Sequence, residues 1–326
     1  MKVTGRALAL ALAFAALMAA QAQGQQIARI GRLSPISADA DVANLAAFRE
    51  RMRSLGWVEG RNFTLVTRFG DGRAARLPQI AAELVQQRVD LILVGSSPGA
   101  LAAKRATSTI PIVVVTTGDP VADGIVTSLA RPGTNVTGVT ALGQALNTKR
   151  LELIKEAVPG ASRVAVLLSP GELYTAPLVR ETQRVARALA VEVRLFEASD
   201  PESLEAAFAE MRSERMAALM VQTSALYITH RKRIVELAAK TGIPAVYGER
   251  QFIDAGGLMF YGASLRDMYS DAAVYADKIL KGAKPGDLPI EQPTKLELII
   301  NSKTAKALGI NLPASVLARA DVIVDK

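Results

Sequence analysis

The chain has 326 residues, a formal net charge of +8, one histidine and no cysteine, and half of its residues are hydrophobic. This length predicts about two globular domains. The lack of cysteine excludes disulfides, thiol nucleophiles, cysteine-bound zinc and an acyl anchor on cysteine, and a single histidine argues against a histidine metal site or a Ser-His-Asp triad. The cations are scattered and aromatic residues make up only 5% of the chain, which argues against a nucleic-acid partner.

Residues 1–22 have the pattern of a signal peptide. Lys2 and Arg6 precede the apolar run Ala7–Ala20, and small residues at Ala20 and Ala22 form an A-x-A-like cleavage site. Cleavage after Ala22 would release a protein into the periplasm of a Gram-negative cell, with no lipid anchor and no membrane-embedded segment. The alternative is an uncleaved membrane anchor, although the run is short for a bilayer span.

The first half of the remaining chain alternates between strand and helix patterns. Strands are predicted at Ile27–Leu33, Phe63–Arg68, Val89–Val94 and Ile110–Val115, and Val136–Thr140 is predicted to be either a strand or a crossover. Helices are predicted at Val42–Leu55, Leu77–Gln87 and Gly99–Ala106, and a further helix is predicted to begin at Asp119–Pro120. The Asp-Pro pair is typical of a helix N-cap followed by the first helical position.

The same alternation starts again near Lys149. Helices are predicted at Lys149–Ala157, Ala176–Ala190, Glu202–Arg212 and Thr229–Lys240, and strands at Arg163–Leu168, Glu192–Phe196, Ala217–Gln222 and Pro244–Tyr247. Beyond Gly257 the pattern predicts a strand at Leu258–Tyr261, a helix at Leu265–Leu280 and a strand at Leu296–Ile300. Two successive arrays predict an α/β protein with two doubly wound, Rossmann-like lobes and mostly parallel sheets.

Ligands of open parallel sheets bind beyond the carboxyl ends of the strands. The candidate ligand-binding residues are those at these strand ends, together with nearby tyrosines. This set is rich in hydroxyls and poor in charge. Its members are Ser34, Ser96, Ser97, Thr116, Thr117, Asp119, Thr137, Tyr174, Thr223, Ser224, Tyr247, Glu249 and Tyr261. Gly-Ser loops at helix starts suit a carboxylate or another small anion. The alternative is structural: the hydroxyls and Asp119 are also ordinary helix caps, and the tyrosines could be core residues.

No phosphate loop, G-x-S-x-G elbow or H-E-x-x-H motif occurs in the sequence. We therefore expect no catalytic residue, no cofactor and no metal. A hydrolase that uses carboxylates such as Asp119 and Glu249 is the least favoured alternative.

Several longer motifs in one order cover almost the whole mature chain. They are Leu55–Asn62, Ile110–Val113, Gly118–Val121, Ser128–Gly138, Lys149–Pro159, Gly256–Gly262 and Ile300–Ala305. In these motifs the chain resembles the ABC-transporter substrate-binding proteins, and it is similar to those of the tryptophan/tyrosine type. The resemblance implies the type I periplasmic binding fold, in which two lobes joined by three crossovers close on a ligand.

The resemblance also implies lobe boundaries and partners. Lobe one would comprise residues 23–140 and about 258–289, and lobe two residues 141–257 and about 290–326. The protein would be a monomer that captures a small polar or zwitterionic solute and delivers it to a membrane permease with a cytoplasmic ATPase. An aromatic amino acid is one candidate, with Tyr174, Tyr247 or Tyr261 as stacking partners. A periplasmic sensory module for a membrane receptor is the alternative.

Overall fold

The computed structural model describes residues 27–141, 143–170 and 175–325. The predicted signal peptide and Tyr174 lie outside these ranges. The described residues form two α/β lobes, each built around one sheet. In these ranges no helix combines the length and the apolar character needed to cross a membrane.

Lobe one contains a five-stranded sheet in the order β2-β1-β3-β4-β5, and all of its pairings are parallel. The strands are β1 Ala28–Ser34, β2 Phe63–Phe69, β3 Leu91–Val94, β4 Ile112–Thr117 and β5 Val136–Thr140. The central strands are continuously apolar because helices cover both faces of the sheet. The first helices of this lobe are α1 Ala38–Ser54, α2 Leu77–Gln86 and α3 Ser97–Ala106.

Lobe two contains a seven-stranded sheet in the order β12-β11-β10-β9-β8-β6-β7. Its strands are β6 Arg163–Leu168, β7 Glu192–Glu197, β8 Ala218–Val221, β9 Ala245–Tyr247, β10 Met259–Ala263, β11 Leu296–Asn301 and β12 Val322–Val324. Only the β10–β11 pair is antiparallel among the described pairings. The predicted class, α/β with mostly parallel sheets in two Rossmann-like lobes, is confirmed.

The helices of lobe two follow its strands on both faces. They are α4 Gly143–Ala157, α5 Thr175–Ala188, α6 Pro201–Ser213, α7 Ala225–Thr229, α8 Arg231–Thr241, α9 Gln251–Asp254, α11 Ser302–Ala307 and α12 Ala314–Ala318. The helix predicted at Thr229–Lys240 is thus preceded by a separate short helix. His230 lies between the end of α7 and the start of α8.

The return to lobe one differs from the prediction. The sequence predicts strand β10 in lobe one, but Met259 pairs with Val246 and Phe260 with Tyr247 in the sheet of lobe two. The following helix, α10 Leu265–Leu280, crosses back and packs on β3, β4, β5 and α1. The segment after this helix also lies against lobe one, where Glu291 bridges to Val139 of β5. The buried face of α10 contributes Tyr269 to the core of lobe one. The other predicted lobe boundaries remain predictions.

The helix predicted at Asp119–Pro120 is a single turn instead. The Asp119 carboxylate accepts hydrogen bonds from the N–H groups of Val121 and Ala122, both at 3.0 Å. Gly124 then adopts a φ of +70°, which ends the turn before a helix can form. The predicted capping chemistry is therefore present, but the chain after the cap does not continue as a helix.

Candidate functional site

A cavity lies between the lobes, at the carboxyl ends of strands from both sheets. It has two adjoining compartments with empty volumes of about 560 and 520 Å³, which include space open to solvent. Four residues line both compartments: Thr116, Thr223, Glu249 and Leu265. The first compartment is also lined by Arg32, Asn44, Ser96, Ser97, Ser224, Gln251 and Tyr269. The second is also lined by Gly118, Leu146, Asn147, Arg150, Gln222, Gly248 and Met268.

The loop between β3 and α3 brings a helix N-terminus to the first compartment. Ser96 has a φ of +73°, its N–H donates to Oγ1 of Thr116 at 3.1 Å, and its Oγ accepts from the N–H of Gly99 at 3.3 Å. Ser97 Oγ accepts from the N–H of Gly118 at 3.3 Å. The two hydroxyls therefore fix the loop, and the start of the helix offers a favourable environment for an anion.

A buried ion pair supports the lobe-one wall. The Arg32 guanidinium donates to both carboxylate oxygens of Asp41, at 3.0 and 3.1 Å, and Asn44 donates to the same carboxylate at 3.0 Å. Arg32 also donates to the Tyr269 hydroxyl at 2.6 Å. Burial raises the pKa of Tyr269, so the hydroxyl stays protonated.

A second buried arginine shapes the lobe-two wall. Arg150 Nε donates to the backbone carbonyl of Tyr261 at 2.7 Å, and Nη1 donates to the Asn147 side chain at 2.7 Å. A Cβ at Gly248 would lie 3.0 Å from the guanidinium carbon of Arg150 and 2.3 Å from Thr223 Oγ1. The absence of a side chain at Gly248 therefore allows both groups to approach the cavity.

Glu249 is the carboxylate shared by the two compartments, and its residue is 7% exposed. Burial raises the pKa of this carboxyl group to about 7, and the positive charge of Arg150 opposes the rise. No hydrogen-bond donor in the described ranges stabilises the ionised form. A ligand that brings a cationic donor would supply that missing partner.

The lobes are closed over the cavity. Arg231 of lobe two donates to the Asp39 carboxylate of lobe one at 2.9 Å. Gln251 Nε2 donates to the backbone carbonyl of Ala40 at 3.0 Å, again across the cleft. Gly72 comes so close to lobe two that a Cβ there would lie 2.9 Å from the Cα of Leu226. These contacts involve main chain as well as side chains, so the lobes meet directly.

Six of the predicted ligand-binding residues line the cavity: Ser96, Ser97, Thr116, Thr223, Ser224 and Glu249. They follow β3, β4, β8 and β9, as expected for open parallel sheets. Whether they contact a ligand remains a prediction.

Two predicted stacking partners lie elsewhere. Tyr247 is 1% exposed and stacks on Phe252 with ring centroids 4.5 Å apart, inside the core of lobe two. Tyr261 packs against the other core of lobe two and uses its carbonyl oxygen to hold Arg150. Neither ring lines the cavity, because strand alternation turns both of them toward helices.

Four further predicted residues serve the fold of lobe one. Ser34 is buried and its hydroxyl donates to the carbonyl of Ile36. Thr137 of β5 donates to the carbonyl of Leu288, in the segment that follows α10, at 2.8 Å. Thr117 is buried outside both compartments, and Asp119 caps its turn. A position at the carboxyl end of a strand therefore does not by itself place a residue in the cavity.

The residues that sequence reasoning missed are charged or amide side chains on the walls, together with one tyrosine: Arg32, Asn44, Asn147, Arg150, Gln251 and Tyr269. One signal was available, since Arg32 interrupts an otherwise apolar, buried strand with a charge. Asn147 and Arg150 sit on α4, where nothing in the sequence separates a cavity-facing polar residue from a solvated one.

In the described ranges, no group of three or more His, Cys, Asp or Glu residues is arranged to hold a metal ion. Two α/β lobes closed on a polar cavity define a two-lobe binding protein with the type I periplasmic binding fold. The chain belongs to the ABC transporter substrate binding protein family, whose model matches residues 29–324.

Similar proteins agree with this assignment. A tyrosine-binding protein of Clostridioides difficile is 28% identical over 263 residues, which cover 81% of this chain and 75% of that protein. The crystal structure of a conserved domain protein from Vibrio cholerae has a TM-score of 0.85 and 26% identity, with 91% of this chain and all of that chain covered. A Streptococcus pneumonia domain in complex with L-Trp has a TM-score of 0.83 and 23% identity, covering 91% and 99% of the two chains.

Proposed function

We propose that the protein is the periplasmic solute-binding component of an ABC importer, and that its ligand is a small zwitterion of the amino-acid class. The signal peptide would direct export, cleavage after Ala22 would free a monomer, and the closed form would deliver the ligand to a membrane permease driven by a cytoplasmic ATPase. The family supports the transport role, and the similar tyrosine-binding protein supports the ligand class.

The observation that carries the ligand class is the position of Glu249. Its buried carboxyl group lies between the compartments without a hydrogen-bond donor in the described ranges. An ammonium group at this point would form a charge-assisted hydrogen bond in a site of low dielectric. On the opposite wall, the N-terminus of α3 at Ser96 and Ser97 suits the carboxylate of the same molecule.

This arrangement couples binding to lobe closure. Ser96 and Ser97 belong to lobe one and Glu249 to lobe two, so a zwitterion contacts both walls only when the lobes are closed. A ligand favours a conformation only through contacts that differ between conformations. The ligand would therefore stabilise the closed form, which is the signal that a permease can recognise.

The geometry supports binding over catalysis. Asp119, which sequence reasoning paired with Glu249 as a possible acid and base, lies outside the cavity and caps a turn. Glu249 is then left without the second carboxylate that such a hydrolase would use. The protein should bind its ligand in a 1:1 ratio and release it unchanged.

A thermal-shift and calorimetric screen of residues 23–326 tests the proposal. The probes are the twenty common L-amino acids, with the corresponding amines and carboxylic acids as controls that lack one charge. A ligand at 100 times its Kd should stabilise the fold by about 2.7 kcal/mol. Stabilisation by an amino acid but by neither single-charge control supports the proposal, and an unshifted melting temperature with every amino acid contradicts it.

A further inference from the structure

The second compartment has a polar wall that the binding of an amino-acid head group does not use. Gln222, Asn147 and Arg150 line it from lobe two, whereas Ser96 and Ser97 line only the first compartment. The remaining lining includes the apolar side chains of Leu146 and Met268. A side chain that enters this compartment thus meets both apolar surface and polar groups.

Gln222 carries an unused hydrogen-bonding group. The residue is 6% exposed, and its Nε2 meets no acceptor in the described ranges. A buried amide donor without a partner costs free energy, and such groups in folded proteins are usually satisfied by protein, water or ligand. Since Gln222 lines the compartment, a guest in that space is the nearest candidate acceptor.

Arg150 gives the compartment the charge that an acceptor needs. Its Nε and Nη1 bonds to Tyr261 and Asn147 hold the guanidinium rigidly beside Gly248. Its charge faces Glu249 across the same space. With Glu249 neutralised by a ligand ammonium group, the positive charge of Arg150 favours an oxygen at the far end of the ligand.

We propose that the second compartment selects amino acids whose side chains end in an oxygen (hydroxyl, amide or carboxylate), with Gln222 as the specificity-determining residue beside Arg150. The inference rests on the proposed function. A site that offers buried hydrogen-bonding groups rejects a ligand that lacks their partner far more strongly than an apolar pocket rejects an extra methylene group.

Matched probe pairs test the inference by titration calorimetry. The pairs are L-tyrosine with L-phenylalanine, L-glutamine with L-methionine, and L-threonine with L-valine. In the pair that binds most tightly, the oxygen-bearing member should bind at least about tenfold more tightly than its partner. Equal affinity, or a preference for the apolar member, overturns the inference. This measurement needs no variant.

The variant Gln222→Met tests whether Gln222 is the residue that selects for a side-chain oxygen. It keeps the length of the side chain and removes the amide, so the ratio of affinities within the pair should fall by about tenfold while the affinity of the apolar member stays within about threefold. Gln79→Met is the matched control, because Gln79 is exposed and its amide donates to Glu83. An unchanged ratio in Gln222→Met overturns the role of Gln222.

Different outcomes would overturn the proposed function and the selection for a side-chain oxygen. Binding of amino acids without preference inside any pair overturns the selection and leaves the proposed function standing. Failure of all six probes, with the twenty-member screen also negative, overturns the proposed function and the inference that rests on it.

Discussion

Asp39 and Arg231 form an ion pair across the two lobes, with 2.9 Å between the Asp39 Oδ2 and Arg231 Nη2 atoms. The arginine side chain is 13% exposed and the carboxylate 67% exposed. Asp39 also accepts from the Ser37 hydroxyl, and these hydrogen bonds lower the pKa of its carboxyl group. The pair can exist only when the lobes are closed, so it contributes to closure and not to the stability of either lobe alone.

Asp39→Asn should therefore weaken ligand binding without weakening the fold. A partly exposed pair contributes about 0.2–1 kcal/mol, so the Kd for an amino acid that the thermal-shift screen identifies as a ligand should rise by roughly 1.4-fold to fivefold, with the urea midpoint of the ligand-free protein unchanged. Calorimetry and urea unfolding measure the two quantities. Glu205→Gln is the matched control, because Glu205 pairs with Arg233 inside lobe two. An equal loss of affinity in both variants would contradict the role of the interlobe pair.

Gly72→Ala should oppose closure more strongly. Gly72 has a φ of +76° and its missing Cβ faces the backbone of Leu226 in the other lobe. Alanine adds about 1 kcal/mol of backbone strain in either form, but the clash exists in the closed form alone. Affinity for an amino acid that the screen identifies as a ligand should fall by at least about tenfold, and small-angle X-ray scattering with that amino acid should show a larger radius of gyration.

Gly309→Ala is the control that separates the effect of backbone strain from the effect of the clash between the lobes. Gly309 has a similar φ of +67°, and no described atom lies within 4 Å of the point that an added Cβ would occupy. We expect a comparable small loss of stability and unchanged affinity. If the two glycine variants bind equally well, Gly72 has no part in closure.

The raised pKa of Glu249 predicts a pH dependence of binding. Burial shifts this pKa from its ordinary value to about 7, so the carboxyl group is largely neutral below pH 7 and ionised above it. An amino acid whose side chain does not titrate between pH 5.5 and 8 keeps its net charge over that range, hence the change comes from the protein. Affinity should be higher at pH 8 than at pH 5.5, by at most about tenfold per pH unit below 7.

Glu249→Gln is the control for the titration. Its affinity for amino acids should be low and nearly constant over the same range, as measured by calorimetry at four pH values. A wild-type affinity that rises toward acid pH would contradict an ammonium group at Glu249.

Removing one charge of the buried Arg32–Asp41 pair should lower the stability of the fold more than removing both charges. Asp41→Ala leaves a fully buried guanidinium without its carboxylate, which should cost about 3–5 kcal/mol in the free energy of unfolding. The double variant Arg32→Met with Asp41→Leu removes both charges and should be more stable than Asp41→Ala. Urea unfolding of the two proteins checks the order. The reverse order would show that the pair does not behave as a desolvated charge pair.

Local patterns were enough to predict most elements. The bounds of β5, β6 and α10 agree with the sequence prediction at both ends. β6 is a short, mostly apolar run between turn residues, and the helix has an apolar face at regular spacing with Ser264 as its N-cap. These signals depend only on neighbouring residues, and tertiary contacts did not override them.

Sheet membership of β10 required information that is not local. Its apolar residues predict a strand, but the pairing of Met259 with Val246 and of Phe260 with Tyr247 is set by the edge that β9 offers. The residues of the cavity also divide into those that the local sequence predicts and those that it does not. Ser96, Thr116 and Glu249 follow strands and could be predicted, whereas Arg150 and Tyr269 reach the cavity from faces of long helices.

The late return of α10 has a consequence for how the chain matures. Met268, Tyr269, Ala272 and Tyr275 fill one side of the lobe-one core, although more than a hundred residues of lobe two separate them from β5. A nascent chain that stops before Leu265 leaves this side of the first sheet uncovered. Lobe one therefore cannot complete its core until α10 has been synthesised. A fragment of residues 27–257 should behave as a partly folded, aggregation-prone species.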